Sequence, residues 1–182
     1  MLFRSFFVSR QNKERYRRVS SYSLSKSQFE LICDFGQSIN LPVFATPVSH
    51  DWVEYIASRC GVVKIASGDF TFEPTIKSSL LSNAKVIVST GASTRDEVID
   101  FMKVARQLRS DQYLSDQVAL LHCVSSYPPK LEEANLNAIE DLRKVSGITV
   151  GFSSHFLEDA PIYGAVSLGA RIVEIHVTLN RH

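Results

Sequence analysis

Along the chain, short apolar runs alternate with longer stretches in which apolar residues recur every three or four positions. The first pattern predicts buried β-strands and the second predicts amphipathic α-helices. Strands are predicted at residues 42–46, 62–66, 85–89, 118–124, 148–151 and 171–177. Helices are predicted between them, so the chain is expected to repeat a strand–helix unit six times.

Two of the predicted helices begin at a capping box, in which two side chains three residues apart satisfy each other's backbone N–H groups. Ser25 pairs with Gln28 in the first box, and Thr94 pairs with Glu97 in the second. Apolar residues follow each box at helical spacing, which is typical of an amphipathic helix. In the first helix they are Leu31, Ile32, Phe35 and Ile39, and in the second Val98, Phe101, Met102 and Ala105.

The alternation of strands and helices indicates the α/β class. Strands such as 85–88 and 118–121 are apolar almost throughout, as expected for strands of a parallel sheet that is covered on both faces. An open doubly wound sheet and a β/α barrel both fit this pattern. No GxGxxG or GxxxxGK[ST] loop follows any predicted strand, which argues against dinucleotide or P-loop nucleotide binding. Strand spacing leaves the two architectures open.

Composition and charge narrow the function classes. A net charge of +1 gives no electrostatic reason to expect nucleic acid or an acidic membrane as partner. No apolar run approaches the ~20 residues that a membrane-spanning helix needs. The three cysteines are scattered and show no CxxC spacing, which argues against a disulfide framework and favours a cytoplasmic location.

The amino-terminal residues differ in composition from the rest of the chain. Residues 1–24 are rich in arginine and serine and contain a single acidic residue, Glu14. This composition is typical of a transit peptide, and a solvated basic leader is the plainer interpretation. Residues 25–182 are predicted to form the folded domain.

Polar and reactive side chains recur where the predicted strands end. Because the carboxyl ends of parallel strands meet at one edge of a sheet or barrel, these side chains are expected to lie close together. The candidates are Thr46, Lys64, Ser67, Ser89, Ser125, Tyr127, Ser153, His155, Glu174 and His176.

Lys64 and the neighbouring serines suggest an anion pocket. An unpaired ammonium within an apolar strand would cost several kcal/mol, so Lys64 is expected to meet an anion or to point into a wet cavity. Ser67 and Ser89 begin loops that offer hydroxyls and backbone N–H groups to an anion. A structural salt bridge and ordinary turn chemistry are the alternative interpretations.

His155 and His176 end the last two predicted strands. Two imidazoles at neighbouring strand ends can share a metal ion, with water or a substrate oxygen as the remaining ligands. Glu174 lies on the same face as His176 by strand alternation and could orient a sugar hydroxyl. His122 lies in mid-strand and is interpreted as a structural residue or a hydrogen-bond donor behind the site.

Six segments resemble the N-acetylneuraminate (sialic acid) synthase family, in family order and with family-like spacing. They are FATP (44–47), KIASGD (64–69), VSTG (88–91), LHCVSSYP (121–128), GFSSH (151–155) and EIHVTL (174–179). The resemblance implies a partial TIM (β/α)8 barrel with six of the eight parallel strands. It also implies that phosphoenolpyruvate condenses with N-acetylmannosamine, its phosphate or a related amino sugar, and that a divalent metal, Mn²⁺ or Mg²⁺, assists.

The resemblance assigns roles residue by residue. Lys64 and Glu174 are the expected catalytic residues, and His155 and His176 the expected metal ligands. Phosphoenolpyruvate and the N-acetylated amino sugar would contact Thr46, Lys64, Ser67, Ser89, Ser125, Tyr127, Ser153 and Glu174. A homodimer is a further expectation.

The chain also departs from the family pattern. Segments resembling the family's first two strands and its carboxyl-terminal antifreeze-like domain are absent, and Ser154 replaces a common aspartate. The interpretation is a truncated synthase. A non-catalytic remnant or phosphoenolpyruvate-binding partner subunit, a catalytically competent chain that pairs with a complementary piece, and a metal-dependent aldolase are the alternatives.

Overall fold

The computed structural model describes Arg17, Ser21 and residues 23–179, so nearly all of the predicted leader lies outside the described residues. The helices in chain order are α1 Lys26–Ser38, α2 Val53–Cys60, α3 Glu73–Leu81, α4 Arg95–Leu108, α5 Asp111–Gln117, α6 Asn137–Ser146 and α7 Ala160–Ser167. The strands are β1 Val62–Ile65, β2 Lys85–Ser89, β3 Val118–Cys123, β4 Thr149–Ser154 and β5 Val173–Ile175.

The five strands form one sheet in chain order, β1-β2-β3-β4-β5. The pairs β3–β4 and β4–β5 are parallel. A helix separates each strand from the next, which is the order of a β/α fold. The described residues divide into two compact units. Those up to Ile65 and residues 72–86 belong to the first unit, and residues 66–71 and those from Ile87 onward belong to the second.

The predicted strand at residues 42–46 is wrong in extent. Within it, Ala45 forms a single parallel bridge to Val63, and its carbonyl accepts a hydrogen bond from the Lys64 N–H at 3.2 Å. Pro42 has no N–H to contribute to a ladder, so the segment begins without one of the bonds a strand would use. Five named strands and one bridged segment therefore stand where six strands were predicted.

Helix α1 of the first unit carries apolar residues on two faces. Both side-chain bonds of the predicted capping box between Ser25 and Gln28 are present. The inner face buries Phe29 and Cys33 against Ile56 of α2 and Val63 of β1. The apolar residues by which the sequence predicted this helix lie on the other face, where their exposed fractions are Leu31 69%, Ile32 43%, Phe35 66% and Ile39 52%.

Polar contacts also join α1 to α2 in the first unit. The Arg59 guanidinium bonds to Glu30, and its Nη2 donates to Asp34 Oδ1 at 2.5 Å. The hydroxyl of Tyr55 also donates to Glu30 and, with Arg59, lowers the pKa of that carboxyl. Glycine ends α2 as predicted, since Gly61 adopts the left-handed conformation with φ 68°.

The second unit contains the paired strands β3, β4 and β5. Its helix α4 begins at the predicted capping box of Thr94 and Glu97, and the predicted apolar face of that helix is buried. Helix α5 was not predicted, because it buries one apolar residue, Leu114, and so shows no helical periodicity. Its one signal was Ser110, whose hydroxyl accepts from the Tyr113 N–H at 3.2 Å.

Strand β4 is longer than predicted. The sequence interpretation ended it at Gly151, but the strand continues to Ser154. Gly151 serves close packing, since a Cβ there would lie 2.4 Å from the Ile172 carbonyl oxygen and 2.5 Å from Leu121 Cδ2. The predicted last strand is shorter in the structure, Val173–Ile175, and pairs with β4 over three residues.

Replacing Phe29 by alanine is expected to lower the free energy of unfolding by about 3 kcal/mol, because it removes a buried ring and leaves a cavity. Phe35→Ala on the outer face of the same helix is the matched control, and it should change that free energy by less than about 0.5 kcal/mol. Urea denaturation of the two variants measures the difference. An equal loss in both variants would contradict an exposed outer face of α1.

Candidate active site

Three residues of the second unit form one row across neighbouring strands. Cys123 of β3 pairs in register with Ser153 of β4, and Ser153 pairs with Glu174 of β5. The hydroxyl of Ser153, which is 1% exposed, donates to Glu174 Oε1 at 3.0 Å. Parallel pairing thus places beside Ser153 two residues that are distant in the sequence, Glu174 at 21 positions and Cys123 at 30 positions.

The two predicted metal-binding histidines lie beside each other in this unit. Their ring centroids are 5.1 Å apart in an edge-to-face arrangement. Tyr127 stacks on the His155 ring at 4.0 Å and contacts the His176 ring edge-on at 5.9 Å. The sequence predicted that these three residues share a site, and the structure places them in one aromatic cluster.

A backbone contact orients the imidazole of His155. Its Nδ1 lies 2.7 Å from the carbonyl oxygen of Val124, an acceptor, so Nδ1 carries the hydrogen in this arrangement. Metal-binding histidines are commonly oriented by such a contact of the other ring nitrogen with a carbonyl oxygen. Residues 23–179 contain no group of three or more His, Cys, Asp or Glu side chains placed to hold a metal. The two imidazoles are the metal-binding groups that the structure brings together at this place, and the binding of a metal by them stays a prediction.

A second polar cluster of this unit surrounds Gly91. Its N–H donates to Ser67 Oγ at 3.0 Å, and that oxygen lies 3.1 Å from Cys123 Sγ. Ser89, at the end of β2, is 3% exposed. The neighbouring Thr90 donates its N–H and its hydroxyl to the Leu121 carbonyl at 2.9 and 3.1 Å. The loop after β2 is therefore fixed to β3.

A cleft of about 420 Å³ opens beside this cluster, within the second unit. Thr90, Cys123 and Ser125 line it together with Ser126 and Asn135. Its volume lies in the range usual for small-molecule sites. The loops after β2 and β3 therefore enclose enough space for a small polar ligand.

Thr46 and Lys64 belong to the first unit. Lys64 is 7% exposed, and its ammonium donates to the Ile65 carbonyl at 3.2 Å. Thr46 is half-buried and directly follows the bridged residue Ala45. The hydrogen bond to this carbonyl offsets part of the cost of burying the Lys64 ammonium. The binding of an anion by Lys64 stays a prediction.

His122 has the structural contact that its mid-strand position predicted. Its Nε2 lies 2.9 Å from the Ala134 carbonyl oxygen, and burial lowers the pKa of the ring although that hydrogen bond opposes the shift. Sequence reasoning missed Cys123, which had only been counted as a scattered thiol. Period-two alternation from Ser125 back along the strand is the signal that could have placed it at the site.

Comparison with known proteins identifies the class. A family model described as the NeuB family matches residues 5–182. An uncharacterized protein of Methanocaldococcus jannaschii is 34% identical over 97% of this chain and 51% of its own length. A pseudaminic acid synthase of Helicobacter pylori is 30% identical over 81% of this chain and 42% of its own length. The crystal structure of an N-acetylneuraminic acid (sialic acid) synthetase from Leptospira borgpetersenii in complex with citrate superimposes with a TM-score of 0.87 and 30% identity, covering 98% of this chain and 61% of that chain.

The α/β fold of this chain is a partial TIM barrel, as predicted, and it matches the Leptospira structure in fold. The chain belongs to the NeuB family. A pseudaminic acid synthase and a sialic acid synthetase are among the proteins that it resembles. It spans about half the length of the curated relatives it matches. Among the described helices, none is long and apolar enough to cross a membrane.

Lowering the pH below about 6.5, the ordinary pKa of histidine, is expected to destabilise the protein through His122. The unfolded state binds that proton first, because burial lowers the pKa of His122 in the folded state. Stability therefore falls with pH from about 6.5 down to the folded-state pKa, by at most about 1.4 kcal/mol per pH unit for one proton.

Urea denaturation between pH 7.5 and 5 would test this, with His122→Gln as the comparison, since a glutamine amide can still donate to the Ala134 carbonyl. The variant should lose less stability than the wild type over this range. His50→Gln, at an exposed histidine of the first unit, is the control and should follow the wild type. Parallel curves for wild type and His122→Gln would contradict the prediction.

Proposed function

We propose that the chain carries the substrate site of a synthase that condenses phosphoenolpyruvate with N-acetylmannosamine or a related N-acetylated amino sugar. The observation that carries the proposal is the placement of Ser153, Glu174, His155, His176 and Tyr127 at the carboxyl ends of neighbouring parallel strands. This edge is where TIM-barrel enzymes have their active sites. Membership of the NeuB family supports the same reaction class.

The proposed reaction forms a carbon–carbon bond. C3 of phosphoenolpyruvate attacks the aldehyde carbon of the open-chain sugar, water adds at C2, and phosphate leaves by C–O cleavage. Hydroxyl donors at Ser67 and Ser89 suit the carboxylate and phosphate of phosphoenolpyruvate, because hydrogen bonds to anionic oxygens are stronger than neutral ones. Ser153 has a single hydroxyl hydrogen, so its proposed contact with phosphoenolpyruvate would require that hydrogen to turn from Glu174 toward the ligand. The proposed role of Thr46 rests on the resemblance alone, and that of Lys64 rests on the resemblance and on its position within an apolar strand.

Glu174 is proposed to orient the sugar. Its Oε1 accepts from Ser153, and a carboxylate has further lone pairs for sugar hydroxyls. The Ser153 hydroxyl would therefore fix the orientation of this carboxylate. Tyr127, a residue that is 70% exposed, and Ser125 would line the same pocket.

His155 and His176 would hold the divalent metal, Mn²⁺ or Mg²⁺. When bound there, the ion would supply Lewis-acid polarisation of the aldehyde oxygen. The chain's own contribution is to fix the His155 imidazole, through the Val124 carbonyl on one side and the Tyr127 ring on its face. A homodimer and a cytoplasmic location belong to the same proposal and rest on the resemblance and on the cysteine pattern.

Incubation with phosphoenolpyruvate, N-acetylmannosamine and Mn²⁺ should release phosphate at a rate that both His155→Ala and His176→Ala reduce by at least about 100-fold, the scale typical of losing a catalytic group. His50→Ala is the matched control and should leave the rate unchanged. Calorimetric binding of phosphoenolpyruvate without any phosphate release would favour a non-catalytic remnant or binding subunit. If the protein instead cleaves the sugar acid to pyruvate and the amino sugar, in a reaction that needs no phosphate, that result would favour a metal-dependent aldolase.

Glu174→Gln is expected to lower phosphate release by about 10- to 100-fold, since it removes a charge that orients the sugar but keeps an oxygen that accepts from Ser153. Binding of phosphoenolpyruvate alone, measured by calorimetry, should change little. The exposed Glu132→Gln serves as the control. If Glu174→Gln weakened phosphoenolpyruvate binding by the same factor as it lowers phosphate release, the proposed role of Glu174 in orienting the sugar would be contradicted.

A further inference from the structure

Three polar atoms converge on the open side of Gly91. A Cβ at this glycine would lie 2.5 Å from Ser125 Oγ, 2.6 Å from Cys123 Sγ and 2.8 Å from Ser67 Oγ. Real Cβ atoms do not approach heavy atoms so closely. The backbone of Gly91 is not in the left-handed region, so the requirement for glycine is spatial. Its missing side chain is what allows three side chains from separate segments to meet.

Ser67 Oγ has a limited hydrogen-bonding capacity, one donor and two acceptor positions. One acceptor position receives the Gly91 N–H at 3.0 Å. The thiol of Cys123 lies at 3.1 Å and is buried, with 5% of its surface exposed. The hydroxyl and the thiol can each donate in this contact, and only donation by the thiol leaves the Ser67 hydroxyl hydrogen for a ligand.

We infer that Cys123 is a positioning residue, whose S–H donates to Ser67 Oγ and directs the Ser67 hydroxyl hydrogen toward an anionic oxygen of phosphoenolpyruvate. With both acceptor positions of Ser67 occupied by Gly91 and Cys123, the serine can act only as a donor toward a ligand. This inference deepens the proposed function and rests on it for the identity of the ligand.

A donor fixed in this way favours an anion. A freely rotating hydroxyl can meet a ligand as donor or as acceptor, whereas a serine that already accepts two hydrogen bonds can only donate. A charged acceptor gains more from such a donor than a neutral one does. Cys123 thereby influences ligand binding without having to touch the ligand, and Gly91 acts in the same way through its N–H and its missing Cβ.

Substitutions at Cys123 separate positioning from packing. Cys123→Ala removes the donor and should weaken phosphoenolpyruvate binding about three- to tenfold, the value of one neutral hydrogen bond. Cys123→Ser restores a donor and should recover most of that affinity, even if the buried hydroxyl lowers stability. Cys33→Ala and Cys33→Ser, at a buried cysteine of the first unit, are the matched controls and should leave the affinity unchanged.

Gly91→Ala is a harsher test, because the added Cβ must displace Ser67, Cys123 and Ser125. It should weaken phosphoenolpyruvate binding by more than Cys123→Ala does. Circular dichroism of each variant checks that it is folded. If Gly91→Ala does not fold, the comparison of Cys123→Ala with Cys123→Ser decides the question alone. Equal affinities of wild type, Cys123→Ala and Cys123→Ser would overturn the inference.

A second readout needs no ligand. The S–H stretching band of Cys123, assigned by its loss in Cys123→Ala, reports in the infrared whether the thiol donates a hydrogen bond. Removal of the acceptor in Ser67→Ala should move this band to higher frequency, and an unchanged band would overturn the inference. Failure of wild-type protein to bind phosphoenolpyruvate in calorimetry would instead count against the proposed function, so the two failures are distinguishable.

Discussion

Parallel pairing of β3 with β4 and of β4 with β5 is the constraint on which the candidate site depends. The register aligns Cys123, Ser153 and Glu174 in one row. The residues that follow these strands therefore lie at the same edge of the sheet. A shift of one residue in either pairing would move Ser153 or Glu174 to the opposite face of the sheet. Close packing at Gly151, between Leu121 and the backbone of Ile172, supports this register, since no side chain fits there.

Polar groups at this edge are held by the backbone as much as by each other. Carbonyl oxygens of Val124 and Leu121 accept from His155 and Thr90, and the Gly91 N–H donates to Ser67. Such contacts satisfy buried polar atoms and at the same time leave defined atoms for a ligand. The buried hydroxyl of Ser154, by contrast, has no hydrogen-bond partner within the described chain. It occupies the position at which the family resemblance showed a departure.

Much of the second unit was predictable because local signals agree with tertiary packing there. The capping box at Thr94 and the buried face of α4 follow directly from residue spacing. Prediction was weaker in the first unit, where the apolar residues Leu31 and Phe35 indicated a helix correctly but lie on its exposed face. Periodicity shows that a helix is amphipathic, but a helix with apolar residues on two faces does not reveal which face is covered.

The sequence by itself determined the alternation of strands and helices, the capping boxes and the set of polar residues at strand ends, because each depends on residues a few positions apart. Tertiary structure decided which of those residues meet. Cys123 lies against Ser67 and Gly91, which are 56 and 32 positions away in the sequence. No local sequence pattern could have predicted contacts between residues so far apart. The boundaries of β4 and of the segment around Ala45 were likewise decided by pairing partners, since a strand ends where its neighbour stops offering hydrogen bonds.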